Sequence, residues 1–296
     1  MAASAWQLAA AALFGASTPL AKWLLGGGID PWLLAGMLYL GSGIGLGILL
    51  LVQRLRRGPA AEAPLTREAI PLLGRVVLFG GVIGPVLLMV GLAQTAASTA
   101  SLLLNVEGLA TMGIAWIVFR ENVDRRLLLG ALAILAGAIL LSWRGGAAGL
   151  GLGALAIVGA CIAWGIDNNL TRKLSSADPV QIAMIKGLVA GVVNLSLGVG
   201  RGAVLPPVES IAAASVVGFF GYGLSLVFFV LGLRLPGSAR TGAYFSMAPF
   251  IGALIAIGLF GEPVTVRLVI AALLMGDRAL STPRRAARPR AQARSA

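Results

Sequence analysis

Apolar residues run through this chain in blocks of roughly twenty, and the short breaks between them carry most of its charge. Ten blocks can be drawn, at 6–25, 32–52, 69–92, 98–119, 127–143, 149–170, 180–200, 211–233, 241–260 and 267–280. With a rise of ~1.5 Å per residue, about twenty residues of helix cross ~30 Å of hydrocarbon. The pattern therefore predicts an all-α membrane protein of ten transmembrane helices. The first block lacks a basic leading region, and Lys22 lies at its far end, so it reads as a helix and not as a signal peptide. The tenth is short and atypical. Its apolar run from Leu268 to Gly276 meets Asp277 and Arg278 at once, and residues 281–296 read as a basic cytoplasmic, disordered tail. A polybasic tail lying on anionic lipid and a shifted reading frame in GC-rich DNA both account for its Arg/Ala/Pro content.

The blocks also repeat. Laid without gaps on 232–265, residues 91–124 match at Gly91/Gly232, Leu92/Leu233, Ile114/Ile255, Ala115/Ala256, Phe119/Phe260, Glu121/Glu262 and Val123/Val264. Phe14-Gly15 corresponds to Trp164-Gly165, Lys22 to Arg172, Asp30-Pro31 to Asp178-Pro179, and Gly43 to Gly191. Residues 1–143 and 149–280 thus read as two five-helix repeats. Five is odd, so the second copy is expected inverted in the membrane, an architecture that transporters use with a site near the midplane. Channels and some intramembrane enzymes contain repeats as well.

Composition changes the picture little. The chain is 296 residues, 58% hydrophobic and only 11% charged, with 41 glycines suited to close helix packing in lipid. A net charge of +12 would suggest nucleic acid in a soluble protein. Here the basic residues alternate between loops. Seventeen fall on one side (Arg54, Arg56, Arg57, Arg67, Arg120, Arg125, Arg126, Arg172, Lys173, Arg234, Arg240 and the six arginines after residue 277), against Lys22, Arg144, Arg201 and Arg267 on the other. That asymmetry places both termini in the cytoplasm and predicts a multi-pass protein of the inner membrane, with no nucleic-acid partner. The chain has no histidine and a single cysteine, Cys161, and it lacks a G-x-S-x-G elbow, a Walker loop or H-E-x-x-H. No enzyme, cofactor or metal is expected. The glycine runs at 41–47 and 149–153 lie within or at the start of apolar blocks and read as packing surfaces.

With these features in place the chain resembles the drug/metabolite transporter superfamily, and within it the ten-helix EamA branch. The aromatic-glycine pairs, the two Asp-Pro pairs, A-S-x-A-S-L-L-L-N at 97–105, and Glu121 and Glu262 carry the likeness from Ala9 to Met275. The resemblance implies export or uptake of small metabolites through a cavity lined mainly by helices 1, 3, 4, 6, 8 and 9. Its members carry an unbroken tenth helix, which this chain does not match.

Glu107 is the leading site candidate, as the one charge deep in its block. A carboxylate there costs on the order of 2.5–3.5 kcal/mol to insert, so it faces protein or water, where it could neutralise a cation or carry a coupling proton. Thr111 continues its face one turn on, whereas Asn105 points about 200° away. Lys186 is read as an intramembrane partner of Glu107, as an anchor for an anionic substrate, or as a snorkelling side chain, with Asn194 on roughly its face. Asp167, Asn168 and Asn169 form the most polar cluster, as substrate contacts or as a helix end entering water. Arg75 and Lys22 read as interfacial anchors. Pro19, Pro85 and Pro249 are expected to kink helices and mark gates. Trp116, Trp164, Tyr222, Phe228, Phe229 and Tyr244 are read as cavity wall or as ordinary packing. The function these residues suggest is proton- or gradient-coupled efflux of a small molecule by alternating access. The expected partners are that substrate, the bilayer and a second copy of the chain. A scaffold or receptor, a degenerate transporter and a passive channel are the competing readings.

Overall fold

The computed structural model describes residues 2–57, 66–120, 125–143, 150–174, 178–234 and 245–280. Among them every regular element is helical. They are α1 (Ala2–Gly26), α2 (Pro31–Arg57), α3 (Ile70–Val76), α4 (Gly84–Ala93), α5 (Ala97–Leu103), α6 (Val106–Phe119) and α7 (Arg125–Ser142). Then follow α8 (Leu152–Thr171), α9 (Pro179–Gly200), α10 (Val208–Gly218), α11 (Ser225–Arg234), α12 (Ala248–Phe260) and α13 (Val266–Leu280). Seven stretches are long and apolar enough to span a membrane, and Leu128–Ser142, Ala248–Phe260 and Val266–Gly276 are shorter apolar helices. Glu121, Arg144, Tyr244 and the tail at 281–296 lie outside the described residues.

Two of the helices start on aspartate caps. Asp30 Oδ1 accepts from Trp32 N and Leu33 N at 2.8 and 3.2 Å, and Asp178 Oδ1 from Val180 N at 2.8 Å. Each is followed by a proline, whose missing N–H costs nothing in a first turn. The two Asp-Pro pairs are therefore helix starts. The helices they open, α2 and α9, make the most extensive packing in the molecule, glycine against backbone. A Cβ on Gly43 would stand 2.5 Å from Leu188 N, and one on Gly191 2.7 Å from Leu40 N. The small-residue spacing is used for close approach, as van der Waals packing in lipid demands.

Contacts place five connections at one end of the bundle. Lys22 Nζ donates to Leu92 O at 2.6 Å, and Arg201 stacks over Trp32 at 5.0 Å. Glu262 accepts from Ala97 N, and Arg267 Nη1 donates to Trp143 O at 2.7 Å. Arg172 and Lys173 lie over the Phe119 ring at the other end. Spans that meet at those five connections thus run in opposite directions.

Two expectations are corrected. Residues 98–119 do not form one helix: the α-helix stops at Leu103 and restarts at Val106. The third and eighth blocks also widen into π-helix, at Val77–Ile83 and Phe219–Leu224. Pro85 stands in the first turn of α4 just beyond the π turn, so it opens a helix, and the carbonyls left without its N–H belong to the π segment. Pro249 likewise opens α12 instead of bending it, while Pro19 does lie inside α1. The irregularities recur in register. Arg120 and Gly261, paired in the ungapped match, both end their helices in the left-handed conformation, φ 53° and 61°. The α5–α6 break at 104–105 and the turn at 246–247 differ by one residue in the same alignment.

Candidate functional site

The break before α6 gives Glu107 its setting. It places the side chain in the first turn of a helix that begins near the middle of the 97–119 stretch. The positive end of a helix favours a carboxylate, which offsets part of the cost of carrying one there. Asn168, on α8, donates through Nδ2 to Glu107 Oε1 at 2.9 Å and to Thr111 Oγ1 at 3.1 Å. Thr111 Oγ1 donates back to Glu107 O at 2.9 Å, so acid, hydroxyl and amide form one unit on the face that faces α8. Asn169 is buried and turned the other way, donating to Thr111 O at 3.0 Å and Gly165 O at 2.8 Å. It locks α8 against α6. Asn105 stays apart, donating to Leu102 O at 2.8 Å.

Lys186 does not pair with Glu107. Its Nζ donates to Asp167 Oδ2 at 2.8 Å, and Thr171 Oγ1 donates to Asp167 Oδ1 at 3.1 Å. Asp167 and Asn169 are only 3% and 5% exposed, so of the three polar residues only Asn168 is exposed. The reason lies at Gly80 in the π segment. A Cβ there would collide with the Asp167 carboxylate, so the missing side chain makes room for it. Gly80 O in turn accepts from Tyr39 OH at 2.7 Å and Trp164 Nε1 at 3.1 Å. Asn194 Nδ2 donates to Gly81 O at 2.9 Å, and its Oδ1 accepts nothing among the described residues. A π turn frees carbonyls that an α-helix keeps for itself, and here three side chains claim two of them.

An aromatic chain adjoins the charged cluster. Tyr39 and Tyr222 have centroids 5.6 Å apart, Tyr222 meets Phe14 at 6.1 Å, Phe14 meets Phe245 at 5.3 Å, and Phe245 meets Phe229 at 4.8 Å. Trp164, Tyr222 and Phe229 therefore stand near the centre, while Trp116 is half exposed on the outside and Phe228 pairs with Trp6. Sequence reasoning missed Tyr39, Phe14 and Phe245. The only signal for Phe14 was its correspondence with Trp164, and each aromatic does reach the π segment of the opposite half, Tyr222 or Gly80.

The glycines beside those two aromatics behave alike as well. Gly15 lies against Ala248 O and Gly252 of α12, and Gly165 against Ala110 and Thr111 N of α6. Chemistry breaks the correspondence. Asp167, Asn168 and Asn169 align with Ser17, Thr18 and Pro19, and Glu107 aligns with Ala248. The arrangement can hold one positive charge beside Glu107 and apolar or aromatic surface beyond Tyr39, and it offers no cluster of metal ligands among the described residues.

The sequence profile described as the EamA-like transporter family matches residues 1–143 and 151–276. An uncharacterized transporter of Methanothermobacter thermautotrophicus is 27% identical over 285 residues, covering 90% of this chain and 82% of the relative. The uncharacterized transporter YyaM of Bacillus subtilis is 23% identical over 245 residues, covering 79% of each. A solved structure, described only as a crystal structure of a protein, has a TM-score of 0.67 at 19% identity and covers 94% of each chain, a likeness of fold.

Proposed function

The chain belongs to the EamA-like transporter family, and from that membership we propose that it is a secondary transporter exporting a small metabolite or drug across the inner membrane by alternating access. The observation that carries this reading is the crossed packing of the two halves. Gly15 of the first half seats on α12 of the second, and Gly165 of the second seats on α6 of the first. Matching π segments, matching breaks and matching left-handed caps support two inverted five-helix repeats. Interfaces built this way can exchange one closed end for the other by rocking, with the site between them fixed.

In this mechanism Glu107 is the coupling group. It takes a proton or a cationic group from one side and gives it up on the other, and Asn168 and Thr111 hold its carboxylate in place. Asp167 and Lys186 neutralise each other, so the pair contacts polar substrate groups without adding net charge. Both termini lie in the cytoplasm, and the chain works as a monomer or homodimer. The test is uptake into sealed vesicles against an imposed pH gradient, wild type beside Glu107→Gln. Pre-screening by thermal shift near pH 6 and pH 8 selects the ligand. The variant is expected to fold and to bind, yet to lose the pH dependence of accumulation. Unchanged pH-dependent accumulation in Glu107→Gln would overturn the assignment, and a well-folded wild type that moves nothing would favour the scaffold reading.

A further inference from the structure

The connection between α4 and α5 is held at both ends by side chains from outside it. Lys22, near the end of α1, donates through Nζ to Leu92 O at 2.6 Å and Ala93 O at 3.2 Å, the last carbonyls of α4. Glu262, in the connection after α12, accepts from Ala97 N at 2.7 Å through Oε1 and from Ser98 N at 3.0 Å through Oε2. Helix ends leave their terminal N–H and C=O groups without intrahelical partners, and α5 has no side-chain cap of its own. A cation at a C-terminus and a carboxylate at an N-terminus is the favourable arrangement at each. Two residues thus tie α1 and α12 to the same turn.

Beneath them the bundle is shut. Ala97, Ser98 and Ser101 are 0%, 3% and 1% exposed. A Cβ on Gly252 would stand 2.7 Å from Gly15 O and 2.9 Å from Ser101 Oγ, so α1 and α12 meet backbone to backbone with the Ser101 side chain of α5 against them. Ser101 Oγ, at that junction, has no hydrogen-bond partner among the described residues. A buried hydroxyl left without a partner opposes the packing that buries it, and water reaching it would relieve the loss. The closed junction therefore carries a polar group that favours opening, and the charged side chains above it oppose that. Beside Lys22 lies a cavity of about 710 Å³ lined also by Trp23, Ile29, Glu209 and Phe260. On release the ammonium has room there and a second carboxylate, Glu209, to move toward.

We propose that Glu262 and Lys22 are the latch that closes this end of the transporter, acting as positioning residues for its exchange between two states. The proposal rests on the alternating-access reading, and its test separates the two. Ser101→Cys is placed in a Cys161→Ala background, because Cys161 is the sole, fully buried thiol. Val204→Cys in the same background marks the face, since Val204 is 86% exposed in the connection after α9. Labelling by a membrane-impermeant methanethiosulfonate is timed in vesicles of both orientations. Glu262→Ala and Lys22→Met are each expected to speed Ser101→Cys labelling about tenfold, and only from the face that labels Val204→Cys. Lys22→Arg should keep the parent rate. Variants that melt like the parent and label at its rate would overturn the latch. So would a rise that is equal from both faces, which is general loosening. If Glu262→Ala does not fold, Glu262→Gln with Lys22→Met decides the matter. Substrate flux is followed in the same vesicles. Labelling that rises as expected with no flux in any protein keeps the latch and removes the transporter reading, whereas parental flux with unaltered labelling removes the latch alone.

Discussion

Asp167 owes its place to a missing side chain. Its carboxylate fills the space a Cβ at position 80 would take, and it meets Lys186 there at 2.8 Å. Gly80→Ala should therefore push the carboxylate off the π segment and lower stability by ~1–3 kcal/mol, as over-packing does. A fall in melting temperature, with loss of the Asp167–Lys186 coupling in a double-mutant cycle, is the check. Lys186→Met leaves a buried carboxylate without its cation and should cost about 3 kcal/mol, the lower part of the range because the lysine side chain is 22% exposed. Asp167→Asn with Lys186→Met should recover most of that. A double variant no more stable than Lys186→Met would mean that the pair is not coupled. Glu107, Asp167 and Lys186 were legible in the sequence because a charge inside an apolar run is costly wherever it lands. Which acid takes the lysine was not. That choice is made by Gly80, a residue type the chain uses 41 times, and nothing in the local pattern singles this one out.

Between elements, glycine decides which surfaces meet. In α2, Gly43 and Gly47 lie one turn apart but differ in surroundings. A Cβ at 43 would press on Leu188 N at 2.5 Å, whereas one at 47 would find only Met184 Sδ at 3.6 Å. Gly47→Ala should be neutral, and Gly43→Ala or Gly191→Ala should force α2 and α9 apart. Yield of monodisperse protein in detergent and its melting temperature would separate the two classes, and equal behaviour would mean that the crossing is not tightly set. The spans themselves were readable because hydropathy over twenty residues does not depend on neighbours. Their interruptions were not. Leu104-Asn105 sits in a run that is apolar enough to span as one helix. The π segment at 219–224 has no proline in α11 after it, unlike the one before Pro85. The turn at 77–83 persists because carbonyls it releases are claimed by Tyr39, Trp164 and Asn194, residues far away in sequence.

For the molecule as a whole, charge and contact give the same sidedness. Lys22, Arg201 and Arg267 touch connections at one end, and Arg172 and Lys173 stand over Phe119 at the other. A fluorescent reporter after residue 296 should be bright and a phosphatase there inactive, with the reverse for fusions after Gly202. Opposite results would invert the orientation, and with it the direction assigned to export. The unlike chemistry of the aligned stretches, Glu107 against Ala248 and Asp167 against Ser17, has a consequence for energetics. Two inverted halves of identical chemistry would make the inward- and outward-facing forms equivalent by a two-fold rotation, equal in energy and equally populated at rest. Glu107 in the first half and Asp167 in the second each face an uncharged residue at the aligned position, and that lifts the degeneracy. Under the proposed alternating access, the empty protein then favours one orientation, by an amount written into a handful of side chains and adjustable without touching the scaffold between them.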